Sequence, residues 1–104
     1  MLDVVCGTGT DLIAIAERLP PGGRATGIDI SESMIAEARR RASGLDLNIC
    51  FDCGDVANLP YRDASFGACR AATVLQHVPD ASQVIREMIR VTSPGGRVGW
   101  RGAS

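Results

Sequence analysis

The residues best suited to ligand chemistry lie near the start of the chain. Residues 2–6 (Leu2-Asp3-Val4-Val5-Cys6) are typical of a strand, which runs into Gly7-Thr8-Gly9 and then into a helix. Glycines let the backbone approach a ligand and adopt positive φ, and the N-terminus of the next helix offers free N–H groups. Taken alone, the pattern also fits a tight strand-to-helix turn that binds nothing.

An acidic residue closes the next apolar run. Asp29 follows the glycine loop by about twenty residues, the spacing at which a carboxylate can accept both hydroxyls of a ribose. Loop and acid together predict a nucleoside ligand, although Asp29 alone could belong to the helix start at Ser31. An NAD(P)-binding oxidoreductase would use a similar pair, but its G-x-G-x-x-G fingerprint needs a small residue where this chain has Leu12. The pattern therefore disfavours a dinucleotide.

Strand-like and helix-like segments alternate between glycines and prolines. Apolar runs predict strands at residues 1–5, 24–30, 45–53, 66–73 and 97–100, and helical spacing predicts helices over 11–19, 31–44 and 80–91. This alternation is typical of an open, mostly parallel α/β sheet with helices on both faces. Such sheets bind ligands at the carboxyl ends of their strands, where the loop and Asp29 both lie.

The sequence also predicts the ends of two helices and the position of one charged residue. Ser31 is expected to cap the second helix, and Asp80 with Gln83 gives a capping-box-like start to the third. Residues 93–96 (Ser93-Pro94-Gly95-Gly96) are expected to end that helix before the fifth strand. Arg70 interrupts the apolar fourth strand, and we expect it to point outward at the strand's end.

Composition and charge limit the possible functions. With 104 residues, 45% of them hydrophobic, the chain can form one domain but not two. A formal net charge of -1 argues against tight nucleic-acid binding. No run approaches the ~20 apolar residues of a membrane span, so we expect a cytoplasmic protein.

The four cysteines predict packing instead of metal or redox chemistry. Cys6, Cys50 and Cys69 lie in apolar runs, which indicates reduced thiols acting as small hydrophobic side chains. Cys50 and Cys53 form a C-x-x-C, but a zinc site needs about four ligands and the other candidates, His77 among them, are scattered. A redox pair would need a helix N-terminus, whereas this pair lies in an extended segment.

Motifs along nearly the whole chain resemble the class I methyltransferases, especially the small-molecule branch with the quinone-biosynthesis C-methyltransferases. The motifs are Leu2-Asp3-Val4-Val5-Cys6-Gly7-Thr8-Gly9, Gly27-Ile28-Asp29-Ile30-Ser31-Glu32-Ser33-Met34, Gly54-Asp55-Val56 with Leu59-Pro60-Tyr61 and Ser65-Phe66, Leu75-Gln76-His77-Val78-Pro79-Asp80, and Arg90-Val91 with Pro94-Gly95-Gly96-Arg97. The resemblance implies a Rossmann-like three-layer sandwich with strand order 3-2-1-4-5. It also implies S-adenosylmethionine as cofactor and a small-molecule methyl acceptor.

The resemblance implies a set of cofactor-binding residues. They are Asp3, Cys6, Gly7, Thr8, Gly9, Asp29, Ile30, Met34, Asp55, Val56, Ala71 and Gln76. Asp3 and the loop backbone would hold the methionine end, and Asp29 the ribose. Ile30 and Met34 would flank the adenine.

The remaining implied roles concern the adenine edge and the reacting methyl. Asp55 would accept from the exocyclic amine of the adenine, and Val56 N–H would donate to its ring. The Ala71 carbonyl would accept from the ammonium, with Gln76 and His77 near the methyl. Simpler alternatives stay open: an Asx turn at Asp55, core packing for Ile30 and Met34, and a pocket-shaping role for His77 in place of a general base.

The chain also departs from the family pattern. Val5 stands where the family has glycine, and because a β-branched residue resists positive φ we expect it to weaken cofactor binding by about 1 to 3 kcal/mol. Gly67 replaces an aspartate, which together with Arg70 leaves the fourth strand's geometry in question.

The resemblance further implies that residues 1–104 are one cofactor-binding core, a fragment without a preceding helix and two last strands. The fifth strand would then be an exposed edge open to self-association. A non-catalytic module that binds the cofactor without turnover is the remaining alternative.

Overall fold

The computed structural model describes residues 1–75 and 78–101, which form one sheet and its covering helices. The strands are β1 (Leu2–Val4), β2 (Ala25–Asp29), β3 (Ile49–Cys53), β4 (Phe66–Val74) and β5 (Thr92–Arg101), and the helices are α1 (Thr10–Ala16), α2 (Glu32–Ala42) and α3 (Ala81–Val91). All four pairings are parallel, in the order β3-β2-β1-β4-β5. The expected α/β class and strand order are confirmed.

Different helices cover the two faces of the sheet. One buried cluster joins α1 and α2 to the sheet through Leu12, Ala25, Ile35, Ala38 and Phe51. The other joins α3 to the sheet and includes Leu2, Val4, Ile28, Cys69, Ala71, Val84, Met88 and Val91. Because side chains alternate along a strand, Asp3 between Leu2 and Val4 faces the α1 side. The fold thus turns a carboxylate towards the helix that follows the glycine loop.

Two predicted boundaries near the ends of elements were wrong. β3 begins at Ile49 instead of residue 45, since Gly44 turns the chain at φ 84° and Leu45 is exposed. Helix α1 ends at Ala16, and the chain continues as tighter turns in which Leu19 N donates to Ala16 O at 3.4 Å. Such i to i−3 bonds are frequent at the C-terminal ends of α-helices, and Pro20 follows directly.

The segment predicted to separate α3 from β5 lies inside β5. The β4–β5 register runs from Phe66–Thr92 to Ala68–Arg97, with an irregularity between the two pairs. Gly95 takes φ 83°, and a Cβ on Gly96 would lie 2.6 Å from the Gly67 carbonyl oxygen. The glycines therefore form a bulge within the strand instead of a loop before it.

The two predicted helix caps have opposite outcomes. Ser31 caps α2 as expected, with its Oγ accepting from Met34 N at 3.3 Å. The capping box at α3 is wrong: Asp80 is left-handed at φ 56° and makes no side-chain cap bond. The Gln83 side chain turns away from the helix start and donates to Ala57 O at 3.2 Å.

Arg70 and the C-x-x-C pair are also placed differently from expectation. Arg70 is paired with Asp3 across β1 and β4, and its guanidinium lies 3.9 Å from the Asp11 carboxylate. It therefore lies within the sheet, below the first turn of α1, and not at the strand's end. Cys50 is exposed instead of buried, and three residues on, Cys53 points to the opposite face of β3. The two thiols cannot converge on one ion.

The outer strands of the sheet differ in how they are covered. At β3, Arg39 of α2 donates through Nε at 3.2 Å and Nη2 at 2.7 Å to the Phe51 carbonyl oxygen. At the other side, β5 pairs only with β4 among the described residues and carries a Trp100 that is 44% exposed. Across residues 1–75 and 78–101, no helix has the length and apolar character needed to cross a bilayer.

Candidate functional site

The loop that leaves β1 passes through three left-handed conformations. Val5 has φ 57°, Gly7 φ 59° and Gly9 φ 78°. Glycine is required at the last of these also for space, because a Cβ on Gly9 would lie 2.7 Å from the Phe51 ring. At the first, the structure shows the predicted conflict, since a β-branched residue in the left-handed region is strained.

Asp29 joins this loop to the ends of the neighbouring strands. Gly7 N donates to its Oδ2 at 2.9 Å, and Ser31 N donates to its Oδ1 at 3.0 Å. Its backbone carbonyl accepts from Gly54 N at 3.0 Å. The glycine loop, Asp29 and the residue before Asp55 therefore meet at one edge of the sheet. The carboxylate is buried and engaged on both oxygens, although each oxygen has a second lone pair.

A cavity of about 400 Å³ lies beside the loop. Its lining residues are Asp3, Val5, Cys6, Gly7, Thr8, Thr10, Asp11, Met34 and Ala72. Five of these nine residues belong to the predicted cofactor-binding set, and Val5 was expected to affect cofactor binding, whereas the sequence analysis missed Thr10, Asp11 and Ala72. Ala72 could have been found from strand alternation. Ala71 is buried on the α3 face, so Ala72, the next residue of β4, must face the same side as Asp3.

Asp3 places a buried carboxyl group in the lining of the cavity. Its Oδ1 is buried and accepts no hydrogen bond from the described residues. Burial raises the pKa of this carboxyl to about 6, the Arg70 charge lowers it, and the Asp11 charge raises it further. A buried acceptor without a donor is costly in a folded protein. An ammonium group entering the cavity would supply the hydrogen-bond donor that Asp3 Oδ1 lacks.

The predicted adenine-flanking residues are exposed apolar side chains. Ile30 is 71% exposed and Met34 is 45% exposed, while Ile35 and Ala38 form the core face of α2. The alternative of core packing is therefore excluded for this pair. Two exposed apolar side chains at the start of α2, one of them lining the cavity, suit the flat face of a base.

The structure describes the residues predicted at the adenine edge but not Gln76 and His77, which were predicted near the methyl group. Asp55 Oδ1 accepts from Ala57 N at 2.9 Å, which is the Asx turn considered as its alternative, and Asp55 does not line the cavity. Val56 is buried against the α3 face. Gln76 and His77 lie outside the described residues, so their predicted roles stay predictions.

Cys6 lines the cavity as a neutral thiol. Burial raises its pKa to about 12, and the nearby charges of Asp3 and Asp29 raise it in the same direction. Because the thiolate is the nucleophilic form, the raised pKa makes Cys6 a poor nucleophile near neutral pH. Its contribution is the shape of the cavity and the Cys6 carbonyl, which accepts from Gly9 N at 3.1 Å.

The chain is similar in sequence to known proteins. Residues 1–96 match a family model described as a methyltransferase domain. The chain is 40% identical over 100 residues to a demethylmenaquinone methyltransferase of Lactobacillus johnsonii, covering 94% of this chain and 41% of that protein. It is 44% identical over 97 residues to an uncharacterized 37.1 kDa protein in transposon TN4556 of Streptomyces fradiae, covering 93% of this chain and 28% of that one.

Solved structures share the fold of this chain. The [4+2]-cyclase SpnF has a TM-score of 0.86 and 37% identity over 95% of this chain and 36% of its own. A SAM-dependent methyltransferase of Methanosarcina mazei has a TM-score of 0.82 and 31% identity over 93% of this chain and 49% of its own. The chain spans less than half the length of each of these proteins.

Proposed function

The chain belongs to the methyltransferase-domain family, and we propose from this premise that it is the S-adenosylmethionine-binding core of an enzyme that methylates a small molecule. Residues 1–104 would form one such core within a longer protein. The small-molecule acceptor is supported by the demethylmenaquinone methyltransferases, 40% and 41% identical to this chain.

The observation that carries the proposal is the unpaired carboxylate oxygen of Asp3. This oxygen is buried, and it belongs to a residue that lines the cavity together with Gly7 and Thr8 of the loop. The ammonium of a methionine moiety is a compact cation with three donors, which matches an ionised and buried acceptor. We infer that Asp3 is the anchor of the methionine end.

The nucleoside end would lie towards α2 and the end of β3. Exposed Ile30 and Met34 would contact the faces of the adenine, and Asp29 and Asp55 would offer the remaining lone pairs of their carboxylates to ribose and amine. The hydrogen bonds that the Asp29 carboxylate accepts from Gly7 N and Ser31 N would keep it directed at the loop.

The protein's part in methyl transfer would be alignment and exclusion of water. Bound S-adenosylmethionine supplies the methyl group from a sulfonium, and its displacement requires donor and acceptor atoms in line. Asp3 and the loop backbone would fix one end of the cofactor and the start of α2 the other. The Ala71 carbonyl, Gln76 and His77 remain predicted contacts at the methyl end.

Calorimetric titration of the chain with S-adenosylhomocysteine and with NAD tests this proposal. We expect binding of the first and none of the second, and we expect Asp3→Asn to weaken binding at least tenfold, because a charge-assisted hydrogen bond is worth about 1.5 to 3 kcal/mol. Asp46→Asn, an exposed carboxylate before β3, is the matched control and should change nothing. Equal affinity of the Asp3 and Asp46 variants would contradict the anchor role.

Turnover needs its own measurement, since a chain 37% identical to this one is described as a cyclase. Transfer of a labelled methyl group to a quinol-like acceptor by the longer protein would support the enzyme. Cofactor binding without transfer would support the binding module.

We also propose that the β5 edge mediates self-association, which a stable monomer in size-exclusion chromatography would contradict. The cytoplasmic location and the lack of nucleic-acid binding stay predictions.

A further inference from the structure

Helix α3 carries two parallel stripes of side chains. Val84, Met88 and Val91 form the apolar stripe, which is buried against the sheet. Gln83, Glu87 and Arg90 repeat the same helical spacing one position earlier and form what we call the α3 polar stripe. The core explains the first stripe, but neither the core nor the cavity uses the second.

The α3 polar stripe binds the backbone of the segment that follows β3. Gln83 Nε2 donates to Ala57 O at 3.2 Å, and Glu87 Oε1 accepts from Leu59 N at 2.8 Å. Arg90 donates through Nη2 to Leu59 O at 3.0 Å and through Nη1 to Tyr61 O at 2.8 Å. The stripe thus holds residues 57–61 at three successive points along one face of the helix.

The stripe also holds itself in position. Arg90 donates to Glu87 through Nε at 2.7 Å and Nη2 at 3.0 Å, and through Nη1 to Asp63 at 2.9 Å. Glu87 is buried, and its hydrogen bond with Arg90 lowers its pKa. A planar guanidinium that makes this many bonds fixes both its partner and the loop in one geometry.

The held segment begins at the proposed nucleoside end of the cofactor. Asp55 Oδ1 accepts from Ala57 N at 2.9 Å, and the Asp55 carbonyl accepts from Asn58 N at 3.2 Å. Ala57 is therefore held on one side by Asp55 and on the other by Gln83. Displacing Ala57 would turn both the carboxylate of Asp55 and the N–H of Val56.

We propose that Gln83, Glu87 and Arg90 are positioning residues for the nucleoside half of the cofactor. They touch no ligand themselves; they fix residues 57–61, which orient Asp55 and Val56. This inference rests on the proposed function. It assigns to α3, on the face opposite α1 and α2, a part in ligand recognition that the cavity alone does not reveal.

Two ligands separate this role from that of Asp3. S-adenosylhomocysteine has both the nucleoside and the amino-acid end, and 5′-methylthioadenosine has only the nucleoside end. By calorimetry on the chain, Gln83→Ala should weaken both about fivefold, the value of one hydrogen bond. Asp3→Asn should weaken S-adenosylhomocysteine alone. Ser82→Ala, on the exposed side of the same helix turn, is the control and should leave both affinities unchanged.

A merely structural role for the stripe would lower the melting temperature and leave both affinities intact, and that result would overturn the inference. A double-mutant cycle of Gln83→Ala with Asp55→Ala should be non-additive, because the first acts through the second. Gln83→Glu provides a second variant, since it keeps the side-chain shape but replaces the donor that faces Ala57 O.

Failure of the inference and failure of the proposed function are distinguishable. If the unmodified chain binds neither ligand, the proposed function falls and this inference with it. If it binds both and the Gln83 variants bind them equally well, only the inference falls.

Discussion

The segment after β1, residues 5–9, borders a buried carboxylate oxygen without a described partner, whereas the segment after β3, residues 57–63, has its backbone held by side chains of α3. The first segment includes a strained Val5 at φ 57°. Both leave the carboxyl ends of parallel strands, so their position in the fold does not explain the difference. The unmet carboxylate oxygen lies where a ligand is expected to complete the structure, and the saturated hydrogen bonds lie where the scaffold must stay fixed.

Removing Arg90 should have the largest effect. Arg90→Ala leaves buried Glu87 without its cation and two backbone carbonyls without their donor, so we expect Tm to fall by roughly 10 °C or more. Arg86→Ala, an arginine on the exposed face of the same helix, is the matched control. Similar melting temperatures for the two variants in thermal denaturation would contradict the claim that Arg90 holds residues 57–63 in place.

The carboxyl of Asp3 should make stability depend on pH. With its pKa raised to about 6, the folded chain keeps a proton that the unfolded chain releases near pH 4. Stability should therefore fall as pH rises from 4 to 6, by at most about 3 kcal/mol, and level off above that. Urea denaturation across this range should show the fall in the unmodified chain and in Asp46→Asn, and lose most of it in Asp3→Asn. A profile identical in all three would show that Asp3 is not the group responsible.

The same ionisation should govern cofactor binding with the opposite sign. An ammonium pairs with the ionised carboxylate, so affinity for S-adenosylhomocysteine should rise with pH through about 6 and become independent of pH in Asp3→Asn. Calorimetry at pH 5 and pH 7.5 is sufficient to decide, and an unchanged affinity in the unmodified chain would contradict the anchor.

Val5→Gly should relieve the strained loop. The substitution removes a left-handed β-branched residue and its side chain from the cavity wall, and we expect affinity for the cofactor to increase by about 1 to 3 kcal/mol. Ala64→Gly is a matched control, because Ala64 is also left-handed at φ 56° but exposed and outside the cavity lining. An equal affinity before and after the Val5 change would discard the prediction.

Tyr61→Phe should have the smallest effect. Tyr61 donates to Asp52 Oδ2 at 2.6 Å, and its ring packs edge-on against Phe66 at 5.1 Å. The variant loses the hydrogen bond and keeps the ring contact, which should cost about 1 kcal/mol in urea denaturation. If Tyr61→Phe lost more stability than Arg90→Ala, the segment would be held mainly by β3 and not by α3.

Sequence patterns predicted the elements whose signals are local. The cap at Ser31, the apolar face of α2 and the parallel order follow from spacing and from the resemblance. The start of β5 was missed because Gly95 and Gly96 look like a helix stop but form a bulge. The distinction depends on the partner strand, which a local pattern does not contain.

The sequence predicted which residues lie around the cavity better than it predicted the hydrogen bonds that those residues make. Asp3, Gly7, Thr8 and Met34 line one cavity and Asp29 lies next to the loop, while their roles in cofactor binding stay predictions. No pattern revealed that backbone N–H groups occupy both oxygens of Asp29. The α3 polar stripe has a sequence signal, three polar residues at helical spacing beside an apolar stripe, but that signal is usually a solvated face.

Arg39, which donates to the Phe51 carbonyl oxygen, makes the two edges of the sheet unequal in their ability to pair with a further strand. A strand that pairs with β3 would have to displace Arg39 from two hydrogen bonds. A strand that pairs with β5 would find an exposed Trp100 and an edge that has no paired neighbour among the described residues. Additional strands, whether from a longer chain or from a second molecule, should therefore be accommodated beyond β5. Substituting Arg39 should leave the Phe51 carbonyl oxygen without this donor and open the β3 edge to pairing with another strand.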